Sequence, residues 1–262
     1  MIIEQGESVY LYDGTFDGLL SAIFQIYYEH ANPANIAPEE NFQQGFGQII
    51  RSIKTDEIKS KRVADGFKKK CGYKAFDNIV TAFLSSDIEK SYKIYKYMKT
   101  GFSYGQKSLI EIVRDEVLAI EKICTNIGKE SHVITGFVRF TLMENNIFYS
   151  QIEPTNNVIP IIMPFFADRY SDQLFIIHAP NHKMAGYYDL DQWRLVQVEE
   201  INLPAVHSDQ VKYDKMWKRF YETIAIDGRE NYICKRSHMP LKYWKNLTEM
   251  KFDNGDSRYM IE

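Results

Sequence analysis

Cysteine is scarce in this chain: 262 residues hold three, Cys71, Cys124 and Cys234, odd in number and far apart. That spacing excludes a disulfide framework and a Cys-x-x-Cys metal site, and it suits a reducing compartment. An iron–sulfur cluster needs closely grouped thiolates, so none is expected here. No run approaches the roughly twenty apolar residues needed to span a bilayer, and the N-terminus lacks a basic stretch followed by an apolar one. A protein with no membrane association, located in the cytoplasm, is therefore expected. There is no Walker-type lysine, which disfavours nucleotide hydrolysis, and the HExxH pattern is absent. The expectation is of no metal site and no cofactor.

What is abundant is aromatic: 18 Tyr and 16 Phe within a composition that is 45% hydrophobic and 26% charged. Large rings supply much buried area, and Tyr can also cover a half-wet surface, so they suit either a core or a platform for bases. Length and apolar content allow one sizeable core or two modest ones. The net charge is −3, yet the charges are uneven. Residues 51–74 carry nine Lys or Arg against three acids, and residues 211–246 carry nine against four. Such stretches can attract phosphates and release counterions, or be helix faces balanced by acids elsewhere.

The pattern along the chain predicts an α+β fold with a mainly antiparallel sheet packed against a large helical layer. Residues 8–13 read as a short strand, Asp13-Gly14 as a turn, and the next residues as a helix with Thr15 as cap and Phe16, Leu19, Leu20, Ile23, Phe24 and Tyr27 on its apolar face. A helical lobe is expected over about 35–130, including IIRSI, with Ile110, Val113, Val117, Ile120 and Ile123 recurring in its last helix and Gly128 as C-cap. From Ser131 the period shortens, and VITGFVRFTL, NIFYSQI, QLFIIHA, KMAGYYDL and RLVQVEEI predict strands over about 131–202. The segment IIMPFFADRY reads as a short helix crossing the sheet, and C-terminal helices are expected over 209–250, the last starting near Pro240. A single domain over residues 1–262 is the simplest account.

Two segments far apart carry a resemblance. The first is Tyr12-Asp13-Gly14-Thr15-Phe16-Asp17-Gly18; the second is Met239-Pro240-Leu241-Lys242-Tyr243-Trp244, with Leu247 and Glu249 in step. In this order they resemble the signatures of a bacterial family associated with DNA metabolism and DNA repair, the domain of unknown function DUF4130. The resemblance implies a role beside a radical S-adenosylmethionine (radical SAM) protein, which would bring the iron–sulfur chemistry these cysteines cannot. Some members carry a uracil-DNA-glycosylase-like extension, and this chain, ending at Glu262, is expected to lack it. The resemblance also implies a receiving pocket around the sheet, and it assigns no catalytic residue.

Read for chemistry, the residues give four catalytic candidates and one basic box. Asp13 and Asp17 flank a glycine-rich turn before a helix N-terminus, where a phosphate could approach, although two carboxylates repel an anion; fixing the turn and capping the helix is the alternative. Arg139 sits among apolar residues and calls for a carboxylate or phosphate partner, with Asp168 one choice. His178 and His182 have zinc-binding spacing, but Pro180 between them and the preceding strand favour hydrogen-bonded imidazoles at a strand end, leaving His178 a possible titrating group. Lys235, Arg236, Lys242, Tyr243 and Trp244 combine cations with rings, as a nucleic-acid-binding surface does; an amphipathic helix docking Tyr243 and Trp244 into the core is the alternative. Nucleic acid is thus the expected partner, through an accessory protein or through a hydrolase or glycosylase-like enzyme, and a protein-binding adaptor is the third reading.

Overall fold

The computed structural model describes residues 8–109, 114–225 and 231–250. The fold is α+β, and the chain divides into two compact units, residues 1–128 and 129–262.

In the first unit, β1 (Ser8–Tyr12) is the central strand of a three-stranded parallel sheet, flanked by β2 (Asn35–Pro38) and β3 (Ile49–Ser52) in the order β2-β1-β3. Val9, Tyr10, Leu11 and Tyr12 are all buried, as expected of a parallel strand covered on both faces. Each buried phenol has a polar partner: Tyr10 donates to Glu29, itself paired with Arg51, and the Tyr12 hydroxyl meets Ser91 Oγ at 2.7 Å. Helix α1 (Phe16–Tyr28) follows β1 and packs on α2 (Glu57–Cys71), α3 (Tyr73–Phe83) and α4 (Lys90–Tyr104) complete the layer, and α5 (Asp115–Phe137) begins beyond them. The helical expectation for 35–130 is corrected at two places: residues 35–38 and IIRS are strands. Both are too short to hold a helix alone, and pairing with β1 decides their conformation.

A second correction concerns α5. Gly128 is no C-cap; the helix runs 23 residues to Phe137 and absorbs VITGF, leaving only Thr141–Leu142 of that predicted strand. Val117, Ile120, Ile123, Ile127, Ser131, Ile134 and Val138 are buried at three- and four-residue steps, so the buried stripe continues past Gly128. Ile110 and Val113 of the predicted row lie outside the described residues.

The second unit is built on a five-stranded sheet in the order β4-β5-β6-β7-β8: β4 (Thr141–Leu142), β5 (Phe148–Gln151), β6 (Phe175–Ala179), β7 (Met184–Tyr188) and β8 (Trp193–Gln197). Three pairings are antiparallel and β5–β6 is parallel, so the sheet is mainly antiparallel, as expected, but mixed rather than purely so. The cause is α6 (Ile159–Arg169), the crossing helix, because a crossover connection returns the chain in the same direction. Ile159, Ile162, Met163 and Phe166 form its buried side, and a side chain at Gly186 of β7 would meet Met163 Sδ at 2.4 Å. The chain then enters α7 (Gln210–Thr223) and α8 (Tyr232–His238) and closes in short 3-10 turns, Leu241–Asn246 and Thr248–Met250, where a helix from Pro240 was predicted.

Close packing in the first unit is tested at Gly101 of α4, where a Cβ would lie 2.7 Å from the Phe67 ring and 2.8 Å from Cys71 Sγ. Helix propensity favours Ala over Gly by about 1 kcal/mol, whereas overpacking costs about 1–3 kcal/mol. Gly101→Ala is therefore expected to lower the urea midpoint, and an unchanged or higher midpoint would show that Phe67 gives way freely.

Candidate functional site

The Asp13–Gly18 turn sits at the carboxyl end of β1, between two strands reached by opposite connections, a position at which open parallel sheets commonly bind ligands. Its carboxylates are engaged within the protein. Asp13 Oδ1 accepts from Thr15 N (3.0 Å) and Thr15 Oγ1 (2.7 Å), and Oδ2 accepts from Thr55 Oγ1 (2.7 Å). Burial would raise the Asp13 pKa, but these bonds outweigh it and lower it. Thr15 in turn caps α1 by accepting from Gly18 N, and Asp17 Oδ1 accepts from Ser60 of α2. A Cβ at Gly18 would stand 2.1 Å from Asp13 Oδ1, so the glycine of the motif is needed for this close approach.

Arg139 and His178 belong to the second unit and have separate partners. Arg139 pairs with Glu249, not with Asp168: Nη2 donates to Oε1 at 2.7 Å and Nε to Oε2 at 3.2 Å, while Nη1 donates to the Gly136 and Val138 carbonyls. Trp217 Nε1 also donates to Glu249 Oε2 (2.9 Å), and the guanidinium lies 5.0 Å from a Trp217 ring centroid. Burial would raise the Glu249 pKa; Arg139 and Trp217 keep it lowered. His178 stands in β6 with its ring buried, Nδ1 3.0 Å from the Tyr149 hydroxyl and Nε2 without a well-formed hydrogen bond. Burial lowers its pKa, opposed by the nearby backbone of Val198 and Glu199. His182 Nε2 instead meets the Pro154 carbonyl at the end of a 3-10 turn, so the two imidazoles face different partners. Among the described residues no group of three His, Cys, Asp or Glu could hold a metal ion, and no helix is long and apolar enough to cross a membrane.

The C-terminal box divides into a buried and an exposed part. Tyr243 is buried and donates to Glu130 Oε1 (3.0 Å), and Lys242 reaches Thr155 Oγ1 (2.6 Å) and the same carboxylate. Glu130 further accepts from Thr155 N, Asn156 N and Asn156 Nδ2. Burial alone would raise its pKa; these donors and Tyr243 lower it to about 2. Trp244 is half-buried, its Nε1 donating to the Met239 carbonyl, and Lys235 lies over the Trp244 and Tyr221 rings. Arg236 is exposed beside Tyr232. Of the five box residues, Arg236 and Lys242 are exposed, the latter while bonded to Thr155 and Glu130, and Lys235 and Trp244 are half-buried.

The resemblance implied a receiving pocket around the sheet without naming its residues. A cleft of about 840 Å³ opens within the second unit, lined by Phe140, Phe148, Tyr170, Phe175, Tyr213, Met216, Trp217 and Phe220, with Arg139, Asp172, Asp214 and Thr248 among its polar groups. Phe140 anchors it, in edge-on contact with Phe148, Phe166, Tyr170 and Phe175. One wall is α7, held by Gln210, whose Oε1 accepts from Leu142 N, and by the Trp217–Glu249 bond.

Because the folded Glu130 pKa is depressed below its unfolded value of about 4.3, its stabilisation is present above that value and lost as pH falls through about 2. Glu130→Gln is expected to lower stability at pH 7 by about 1–3 kcal/mol, since the amide leaves donors facing donors. The gap from the native protein should narrow between pH 4.5 and 2 in thermal melts; a constant gap would mean that the carboxylate charge plays no part.

No curated protein matches the sequence at a significant level. A family model matches residues 89–249, from the start of α4 to the glutamate that holds Arg139, and that family is described as a domain of unknown function. The match covers more than half of the sequence, and the chain belongs to the DUF4130 family.

Proposed function

We propose that this protein is a nucleic-acid-binding accessory factor of DNA metabolism, acting in the cytoplasm beside a radical SAM partner. The observation that carries the reading is the surface of α2. Lys61 and Lys69 are exposed there with no acidic partner among the described residues, as are Lys54 and Lys74 on either side. Arg62 and Lys59 lie over the Phe24 ring, which stacks on exposed Tyr28 at 6.4 Å. Cations beside accessible rings are what a single strand uses, phosphates on the first and bases on the second. In the second unit Lys212, Lys215 and Arg219 of α7 and Arg236 of α8 are exposed likewise. The partner reading rests on the resemblance and on the dispersal of Cys71, Cys124 and Cys234.

A glycosylase-like or hydrolytic reading has less support, because Asp13, Asp17 and Arg139 are each spent on internal partners. An adaptor reading is favoured by the exposed apolar residues of α7, Met216, Phe220 and Ile224, but cations rim that helix.

The test is binding of fluorescent single-stranded and duplex DNA over a salt series. The logarithm of affinity should fall linearly with the logarithm of salt, and Lys61→Glu/Lys69→Glu should shrink the single-strand slope by about 1.4, two phosphates at roughly 0.7 each. Lys235→Glu/Arg236→Glu reports on the other unit. Absence of binding at low salt would sink the reading and leave the adaptor.

A further inference from the structure

The aromatic cleft of the second unit has a chemistry of its own. Its volume, about 840 Å³, lies within the range of small-molecule sites, and its lining is mostly flat ring: Phe140, Phe148, Tyr170 and Phe175 on the sheet side, Tyr213, Trp217 and Phe220 on α7. On α7, Tyr213 is 55% exposed and Phe220 53%, so these faces are open to an occupant. Planar walls favour a planar guest.

The polar groups then narrow the guest. Arg139 is the one cation among the lining residues, and each nitrogen of its guanidinium already donates: two bonds go to Glu249, which neutralises the charge, and two to the Gly136 and Val138 carbonyls. No free positive charge is left inside for a phosphate. Asp172 and Asp214 line the same cleft, and Asp214 spends only Oδ1, on Gln210 Nε2 at 2.7 Å, leaving Oδ2 open. The open Asp214 oxygen offers an acceptor to a neutral ring whose edge donates hydrogen bonds, beside the Tyr170, Tyr213 and Thr248 hydroxyls and the Gln173 amide, which can donate as well as accept. A phosphate attached to such a ring would stay outside, where Lys212, Lys215 and Arg219 of α7 are exposed.

We propose that this cleft holds one unstacked nucleobase bearing an exocyclic amino group, that is cytosine, adenine or guanine, and discriminates against thymine and uracil. Thymine and uracil present a carbonyl oxygen where cytosine and adenine present an N–H₂, and a carbonyl facing Asp214 would leave acceptor against acceptor. Carboxylates pair with the cytosine amino group in other settings for the same reason. This deepens the nucleic-acid reading by naming what the second unit takes from the strand, but its chemistry does not need a strand.

The test uses free nucleosides and the full chain. Cytidine, adenosine, thymidine and uridine are titrated by calorimetry and by the indole N–H resonance of Trp217, assigned with Trp217→Phe. Cytidine and adenosine should bind saturably and shift that resonance, with thymidine and uridine about tenfold weaker or more. Asp214→Asn, which offers a donor amide, should collapse the preference while the melting temperature holds. Tyr213→Ala, an exposed change, should weaken all four by about tenfold. No saturable binding, equal affinity for all four, or a preference untouched by Asp214→Asn would overturn the proposal. Nucleoside binding without DNA binding would sink the accessory-factor reading alone; DNA binding without nucleoside binding would sink this one alone.

Discussion

A carboxylate taken out of water must find a donor for nearly every lone pair, and the second unit is organised around meeting that demand at Glu249. Its side chain is 2% exposed, and Arg139 and Trp217 together supply its partners. The consequence reaches further than one ion pair. Trp217 fixes the middle of α7, Arg139 fixes the segment after α5, and Glu249 fixes the last 3-10 turn, so one charge holds three pieces of chain around the mouth of the cleft. Glu130 repeats the solution, drawing Tyr243 and Lys242 of the terminal box to α5 and to the loop before α6.

This arrangement gives a physical meaning to the C-terminal motif. Tyr243, Leu247 and Met250 are buried and Glu249 is the counter-charge of Arg139, so the box is a strap that closes the unit. The N-terminal motif works alike: Asp13 ties the turn to Thr55, for which Gly18 leaves room, and Asp17 ties α1 to Ser60. In each motif the polar residues that look reactive in sequence are those whose hydrogen bonds the fold consumes. The side chains left open to a ligand are the rings of α7 and the cations of α2, neither of which forms a recognisable motif.

Much of the architecture was legible in the sequence. The β1–turn–α1 unit and its Thr15 cap follow from the alternation of residues 8–12 and the Asp-Gly signal, and the crossing helix between β5 and β6 from its own apolar run. Misreadings occurred where short segments depended on distant partners. IIRS becomes a strand because β1 offers it an edge, and VITGF stays helical because Ile127, Ser131 and Ile134 keep one stripe buried past Gly128.

By itself the sequence determined the elements long or strongly patterned enough to choose their own conformation, the α+β class, and the family, whose match over residues 89–249 contains the C-terminal motif. Tertiary structure alone decided the partner of Arg139, which lies 110 residues away at Glu249, and the cleft assembled from the β-sheet, α7 and the final turn. The reason is range. Backbone preference and amphipathic period act over a few residues, whereas the neutralisation of a buried charge and the closing of a cavity depend on which distant segments the packed core brings together.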